Sequence, residues 1–239
     1  MLFSSLSTAV MALALLVPSA MAWPQYPRAT NLDGLSAKMP QNTLPQPTNL
    51  KLRYVLLGIG TQNYTCLSGN DTAAPDTTGA VAKLYDLGTQ LNKDPWAQFK
   101  IPTISGLALS LSKSPWGGDR FLDEYLKQQG YSQWLGNHFF SPAKIPTFSL
   151  TQVKANPFPQ AMVLKKAEMD APKWACPGTT GEGAIKWLQL LDDQKLSQGG
   201  VNTVYRMETA GGKSPAVCKG QKKTFEVPYA AQYWVYGPK

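Results

Sequence analysis

The sequence has a single histidine, His138, and three cysteines, Cys66, Cys176 and Cys218, spread far apart along 239 residues. One imidazole and three dispersed thiols do not make the ligand cluster that zinc requires, so no metal site is expected. The same scarcity weakens nucleophilic catalysis. Ser141 and Ser149 are candidate hydroxyls for His138, but no nucleophile elbow sets either beside it, and a packed or surface histidine in a strand is the expectation. Charged residues are sparse at 16%, against 43% hydrophobic, and that balance excludes global disorder. No uninterrupted apolar run reaches the ~20 residues that a membrane-spanning helix needs, so no transmembrane segment is expected.

The first 22 residues carry no charged side chain, and the apolar run Ala9 to Val17 is followed by Pro18-Ser19 and by Ala20-Met21-Ala22. This pattern predicts a secretory signal peptide over residues 1–22, cut after Ala22, and hence a secreted protein. Export fits Asn63-Tyr64-Thr65 and Asn70-Asp71-Thr72 as glycosylation acceptors, with Asn70 in the more exposed setting. In an oxidising compartment three cysteines imply one disulfide plus a leftover thiol, or an intermolecular bridge. The net charge of +8 falls wholly after the leader. It favours an anionic surface or an acidic cell-wall glycan as partner, with no nucleic acid expected, although a solvated basic face is the commoner cause.

Trp23 to Asn49 contains five prolines and no sustained period, which predicts an extended arm over residues 23–49. From Leu50 the apolar spacing is two. Leu50, Leu52, Tyr54 and Leu56 share a face opposite Lys51 and Arg53, and similar runs recur as "GAVAKLYDL", "HFF", "PTFSL", "AMVLKKAEM", "AIKWLQLLD", "NTVYRMETA" and "VPYAAQYWVY". The expectation is an all-β fold, a mainly antiparallel β-sandwich or barrel forming one domain over residues 50–239. One short helix is predicted in "GGDRFLDEYLKQQGY", capped by Asp119 and closed by Gly130, within an insertion at about 94–135.

Three arrangements invite a chemical reading. In "LRYVLLGIGTQNYTC", Gly58 and Gly60 imitate the opening of a dinucleotide loop, but Asn63 stands at the third glycine position and a β-favouring run follows. An NAD-dependent dehydrogenase is therefore disfavoured, no cofactor is expected, and the glycines are read as a bend or bulge between strands. Asp123-Glu124, Asp192-Asp193 and Glu168 with Asp170 offer paired carboxylates. Glycoside hydrolysis needs two carboxyls facing each other across a sugar, which neighbours on a strand do not provide. Trp96, Trp116 and Trp134 cluster in the insertion, where packing over the core competes with a ligand-stacking platform.

Taken in order, "YVLLGIGTQNYTC", "GAVAKLYDLGTQL", "GNHFFSP...PTFSL", "IKWLQLL", "VYRMETAGGKSPAVC" and "VPYAAQYWVYG" resemble a secreted domain-of-unknown-function family of fungi and exported bacterial proteins, whose members often bear the label "malate dehydrogenase". The resemblance spans about Leu50 to Gly237 and brings no catalytic residues with it. It implies a disulfide between Cys66 and Cys218 and leaves Cys176 unpaired, while the residues themselves leave Cys66–Cys176 and Cys176–Cys218 open. The reading is a secreted, non-enzymatic β-sandwich protein that is surface-associated or host-directed. Its rival is a secreted hydrolase or isomerase with carboxylates or His138 under the insertion.

Overall fold

The structure is a computed structural model that describes residues 28–67, 70–179, 181 and 183–239. The leader predicted at residues 1–22 and the first part of the arm lie outside the described residues. Nine strands make one sheet: β1 (Leu50–Thr65), β2 (Asp76–Asp86), β3 (Trp134–Phe140), β4 (Pro146–Ser149), β5 (Gln160–Met162), β6 (Leu164–Met169), β7 (Trp187–Leu191), β8 (Thr203–Gly211) and β9 (Thr224–Pro238). The spatial order is β5-β4-β3-β2-β1-β9-β8-β7-β6, and every ladder is antiparallel.

The sheet curls into a nearly closed barrel. Its two edge strands, β5 and β6, are consecutive in the chain with only Val163 between them. Covalent continuity therefore bridges the seam where a ladder is missing. Gln160 and Gln198 add a pair of backbone hydrogen bonds beside it, at 3.1 and 2.9 Å, and the Val163 amide donates to the Pro146 carbonyl at 3.0 Å. Exposed strand edges, the usual liability of an open sheet, are thereby shortened.

Two apolar cores result, because the central strands bury both faces. Tyr54, Leu56, Leu84, Phe148, Val204 and Val235 point into the barrel. Leu52, Val55, Leu57, Tyr205, Met207, Trp234 and Tyr236 point outward, under the helices and the arm. The predicted single face through Leu50, Leu52, Tyr54 and Leu56 does not hold. The register against β9 slips between Leu52 and Tyr54, so Leu52 faces outward and Tyr54 and Leu56 face inward, as a one-residue bulge requires.

Among the described residues four helices are present where one was predicted: α1 (Asp33–Ser36), α2 (Gly88–Leu91), α3 (Ala97–Ser112) and α4 (Gly118–Gln129). The expected helix is α4, closed by Gly130 at φ 73°. Asp119 lies in its first turn rather than at the cap, which is Gly117 and makes no side-chain capping bond. The sixteen residues of α3 were missed because Pro102 and Gly106 interrupt them and apolar side chains occur on nearly every side. Its inner face, including Ile101, Ile104, Ala108 and Leu109, packs on β1, β8 and β9. The insertion thus packs on the outside of the barrel.

The Pro-rich arm is packed as well as extended. Leu32, Leu35 and Leu44 are buried in the outer core, and the Tyr205 hydroxyl donates to the Pro45 carbonyl at 2.6 Å. Cys66, just past β1, is bonded to Cys218 in the β8–β9 connection, as the family resemblance implied. Among the described residues no helix is long and apolar enough to cross a membrane.

Candidate binding cavity in the barrel

The barrel is filled at one end and hollow at the other. Around Tyr54, Leu56, Leu135, Leu150 and Val201 the interior is solid, and the Arg28 guanidinium lies over the Tyr54 ring, 4.6 Å from its centroid. Toward the other end the inward positions become small: Gly58 and Gly60 on β1, Ala80 and Ala82 on β2 and Ala231 on β9. A cavity of about 920 Å³ opens there, bounded by β1, β2, β3, β4, β6, β7, β8 and the loop from Asp170 to Lys186. That volume lies in the range of small-molecule sites.

Gly58 and Gly60 help to shape this space from within a continuous strand, not at a corner between strands. The ring of Tyr233 occupies the place of a Gly58 side chain, and the Val81 carbonyl crowds that of Gly60. After Gly60 the chain runs on as β-strand to Thr65, so no helix N-terminus follows the glycines. The geometry that a dinucleotide phosphate needs is absent from this motif.

Polar groups converge on the cavity wall. Tyr229 and Tyr233 share a hydroxyl–hydroxyl hydrogen bond of 2.8 Å, and the Tyr64 hydroxyl donates to the Gly212 carbonyl at 2.7 Å. Burial raises the pKa of all three phenols, so they remain neutral. Gln62 is only 4% exposed. Its amide lies beside the Tyr229 hydroxyl, yet its Nε2 makes no hydrogen bond of acceptable geometry. His138 is 4% exposed and stacks on Phe148 with centroids 4.1 Å apart and planes 6° from parallel. Its Nδ1 lies 2.9 Å from the Thr147 carbonyl. A carbonyl only accepts, so Nδ1 carries the proton. Burial lowers the pKa to about 4, the ring is neutral at pH 7, and Nε2 keeps a free lone pair.

Arg206 enters the same wall from β8 and lines the cavity. Its Nε and Nη2 donate to one acceptor, the Lys186 carbonyl, at 3.1 and 2.9 Å. No described carboxylate lies within ion-pair distance of it. Burial lowers its pKa, but a guanidinium stays charged at any ordinary pH. At the mouth, Glu168 is held by Lys165 at 2.7 Å and by Lys186 at 2.5 Å, and hydrogen bonds from these lysines lower its pKa to about 2. Among the described residues that line the cavity, Lys144, Lys165, Lys173, Lys186, Lys213 and Arg206 stand against Glu168 and Asp170, six cations to two anions.

The other sequence-nominated residues lie elsewhere. Trp96 precedes α3, Trp116 lies between α3 and α4, and Trp134 begins β3 and donates from Nε1 to the Gly136 carbonyl at 2.7 Å. All three are exposed, and none lines the cavity. Asn70 is exposed and its Oδ1 accepts from the Ala73 amide at 3.0 Å, while Asn63 is half-buried within β1. Asp192 is occupied by the Leu196 and Ser197 amides at 3.0 and 2.8 Å, Asp193 pairs with Lys166, and Glu124 accepts from Gln128. Cys176 is a free, half-buried thiol beside Gly106 of α3. Among the described residues no three His, Cys, Asp or Glu side chains group as metal ligands would.

Arg206, Gln62, Tyr229 and Tyr233 were not singled out from sequence. The signal was available in "NTVYRMETA", where alternation puts Arg206 on the same inward face as Val204. No curated protein and no solved structure matches the chain. A family model does match, over residues 46–237, which takes in every strand of the barrel and all the residues that converge on its cavity. By that match the chain belongs to the family described as protein of unknown function (DUF3455).

Proposed function

We propose that the protein is an exported, non-catalytic binding protein that acts at a cell surface or wall, its own or a host's, and holds an anionic ligand in the open end of the barrel. The observation that carries this reading is Arg206, a half-buried charge in a cavity wall with no described carboxylate within ion-pair distance, Glu168 acting on it only from farther off. A partly desolvated charge without an ion-pair partner is costly, and an anion in the cavity would offset that cost. The lysine-rich mouth would draw such a ligand in. The leader, the two glycosylation acceptors and the disulfide fit export and support the surface assignment. Hydrolysis is less well supported, because the two carboxylates at the mouth, Glu168 and Asp170, are both engaged by Lys186.

The test is retention of the purified protein on acidic wall polysaccharide and on anionic liposomes at low and high salt, beside Arg206→Gln. Salt-sensitive retention that Arg206→Gln weakens is the expected result. Equal retention of both proteins would place binding outside the cavity, and no retention on either surface would remove the reading.

A further inference from the structure

The cavity presents three unsatisfied hydrogen-bonding groups of different kinds. Arg206 spends its Nε/Nη2 edge on the Lys186 carbonyl, which leaves the end of the guanidinium, two parallel N–H bonds, without a partner. Gln62 adds a buried donor, Nε2, which lies beside the Tyr229 hydroxyl without a hydrogen bond of acceptable geometry and meets a ligand once its amide turns toward the cavity. His138, its Nδ1 proton fixed on Thr147, adds a buried acceptor at Nε2. Gln62 lies next to Tyr229, Tyr229 is bonded to Tyr233, and the Tyr233 ring is 5.7 Å from that of His138. Arg206 acts electrostatically on His138, Tyr229 and Tyr233, and Gln62, His138 and Arg206 line the same cavity, so one small ligand can reach all three groups.

A ligand that satisfies them must accept from a planar fork and an amide, and must also donate. A carboxylate meets the first demand, since its two oxygens match the guanidinium edge. It has no proton for His138 at neutral pH. A bare fatty or aromatic acid would leave Nε2 unsatisfied, and a buried group without a partner subtracts from affinity. A ring hydroxyl adjacent to the carboxylate supplies the missing donor. The walls also suit such a ring, because the half-buried Phe140, Leu164 and Leu188 offer apolar surface for its C–H groups.

We propose that the ligand is a sugar acid at the end of an acidic polysaccharide chain, its carboxylate taken by Arg206 and Gln62 and a ring hydroxyl donating to Nε2 of His138. This rests on the anion-binding reading above and narrows it. The lysines of the mouth then meet the carboxylates of the next sugars as the chain leaves the barrel. A glycan end is favoured over a lipid surface because Gln62, His138 and Arg206 are set on the inner wall of the barrel, which the end of a chain enters more readily than headgroups held in a flat bilayer.

The experiment is titration calorimetry on the whole exported chain with four probes: an oligogalacturonate, the neutral oligogalactose of equal length, cyclohexanecarboxylate and dextran sulfate. The oligogalacturonate should bind about tenfold or more tightly than either the neutral sugar or the unhydroxylated acid, the scale of one charge-assisted or one unsatisfied buried hydrogen bond. Arg206→Gln should abolish the preference over neutral sugar. His138→Phe, which can keep the stack on Phe148, should abolish the preference over cyclohexanecarboxylate while sparing the preference over neutral sugar. A general loss of structure would instead weaken all four probes together. Equal binding of cyclohexanecarboxylate and oligogalacturonate by the native protein, or tighter binding of dextran sulfate, would overturn the sugar acid and leave an anion site standing. Absence of binding by every anion would overturn both. The decisive comparison uses the native protein, so it does not depend on a variant folding.

Discussion

The ring of Tyr233 on β9 occupies the space where a side chain on Gly58 of β1 would stand. These strands are hydrogen-bonded neighbours at the centre of the sheet, and Tyr233 is wholly buried. Gly58→Ala must therefore push the ring toward Ala231 or into the cavity. The expected cost is about 1 to 3 kcal/mol, the scale of overpacking a filled core. Urea unfolding of the two proteins checks it, and an unchanged midpoint would mean that the ring shifts freely.

The Cys66–Cys218 bridge closes a separation of 152 residues. The Cys66 amide donates to Lys223 and the Cys218 amide to Ala73, so the bridge ties three chain segments at the cavity end of the barrel. On the chain-entropy model, replacing both cysteines by alanine should cost about 5 kcal/mol. Unfolding under non-reducing conditions reads the loss directly. Cys176→Ala should cost far less, because Cys176 has no disulfide partner.

His138 makes stability depend on pH. Its folded pKa of about 4 lies below the ordinary value of 6.5, with burial as the main cause. The unfolded chain thus binds more protons than the folded one between these values. The contribution is complete above pH 6.5 and is lost as pH falls through that window toward 4, by up to about 3 kcal/mol. Glu208 runs the other way. Burial raises its pKa to about 7, so its destabilising effect grows as pH rises from 4.5 to 7 and is complete above that. His138→Phe should flatten the acid limb of the stability–pH curve, and Glu208→Gln should raise stability most at pH 8. Chemical unfolding across pH 4 to 8 checks both signs.

The barrel was legible in the sequence because alternation, which follows directly from the pleat, survives along β2, although β1 and β9 at the centre of the sheet are buried on both faces. Strand β1 was read one step wrong at Arg53, since a bulge changes which residues face inward without leaving a mark in composition. Helix α3 was invisible for a related reason: buried on one face and still carrying Phe99 and Leu107 on the other, it has no polar stripe to set a period. The cavity was hardest to see. Of the small inward residues it is Ala80 that lines the space, and small residues in strands look like weak packing until the curvature of the sheet turns them inward. The more conspicuous Trp96, Trp116 and Trp134 are left on the surface by the fold.

That origin of the cavity supplies the sharpest separation of binding from stability. Ala80 is buried at its wall, opposite Gln62 in the β1–β2 ladder. Ala80→Leu would extend apolar atoms into open space rather than into a packed core, so the usual overpacking cost should not arise, and filling a cavity commonly adds about 0.5 to 2 kcal/mol. The same side chain would stand beside the free Nε2 of Gln62, where the proposed carboxylate sits. Thermal unfolding should therefore hold steady or rise while anion binding falls at least about tenfold, the loss expected when one charge-assisted contact is blocked. If Ala80→Leu binds acidic glycan as tightly as the native protein, the ligand does not enter the barrel. The basic charge of the chain would then act only from its outer surface.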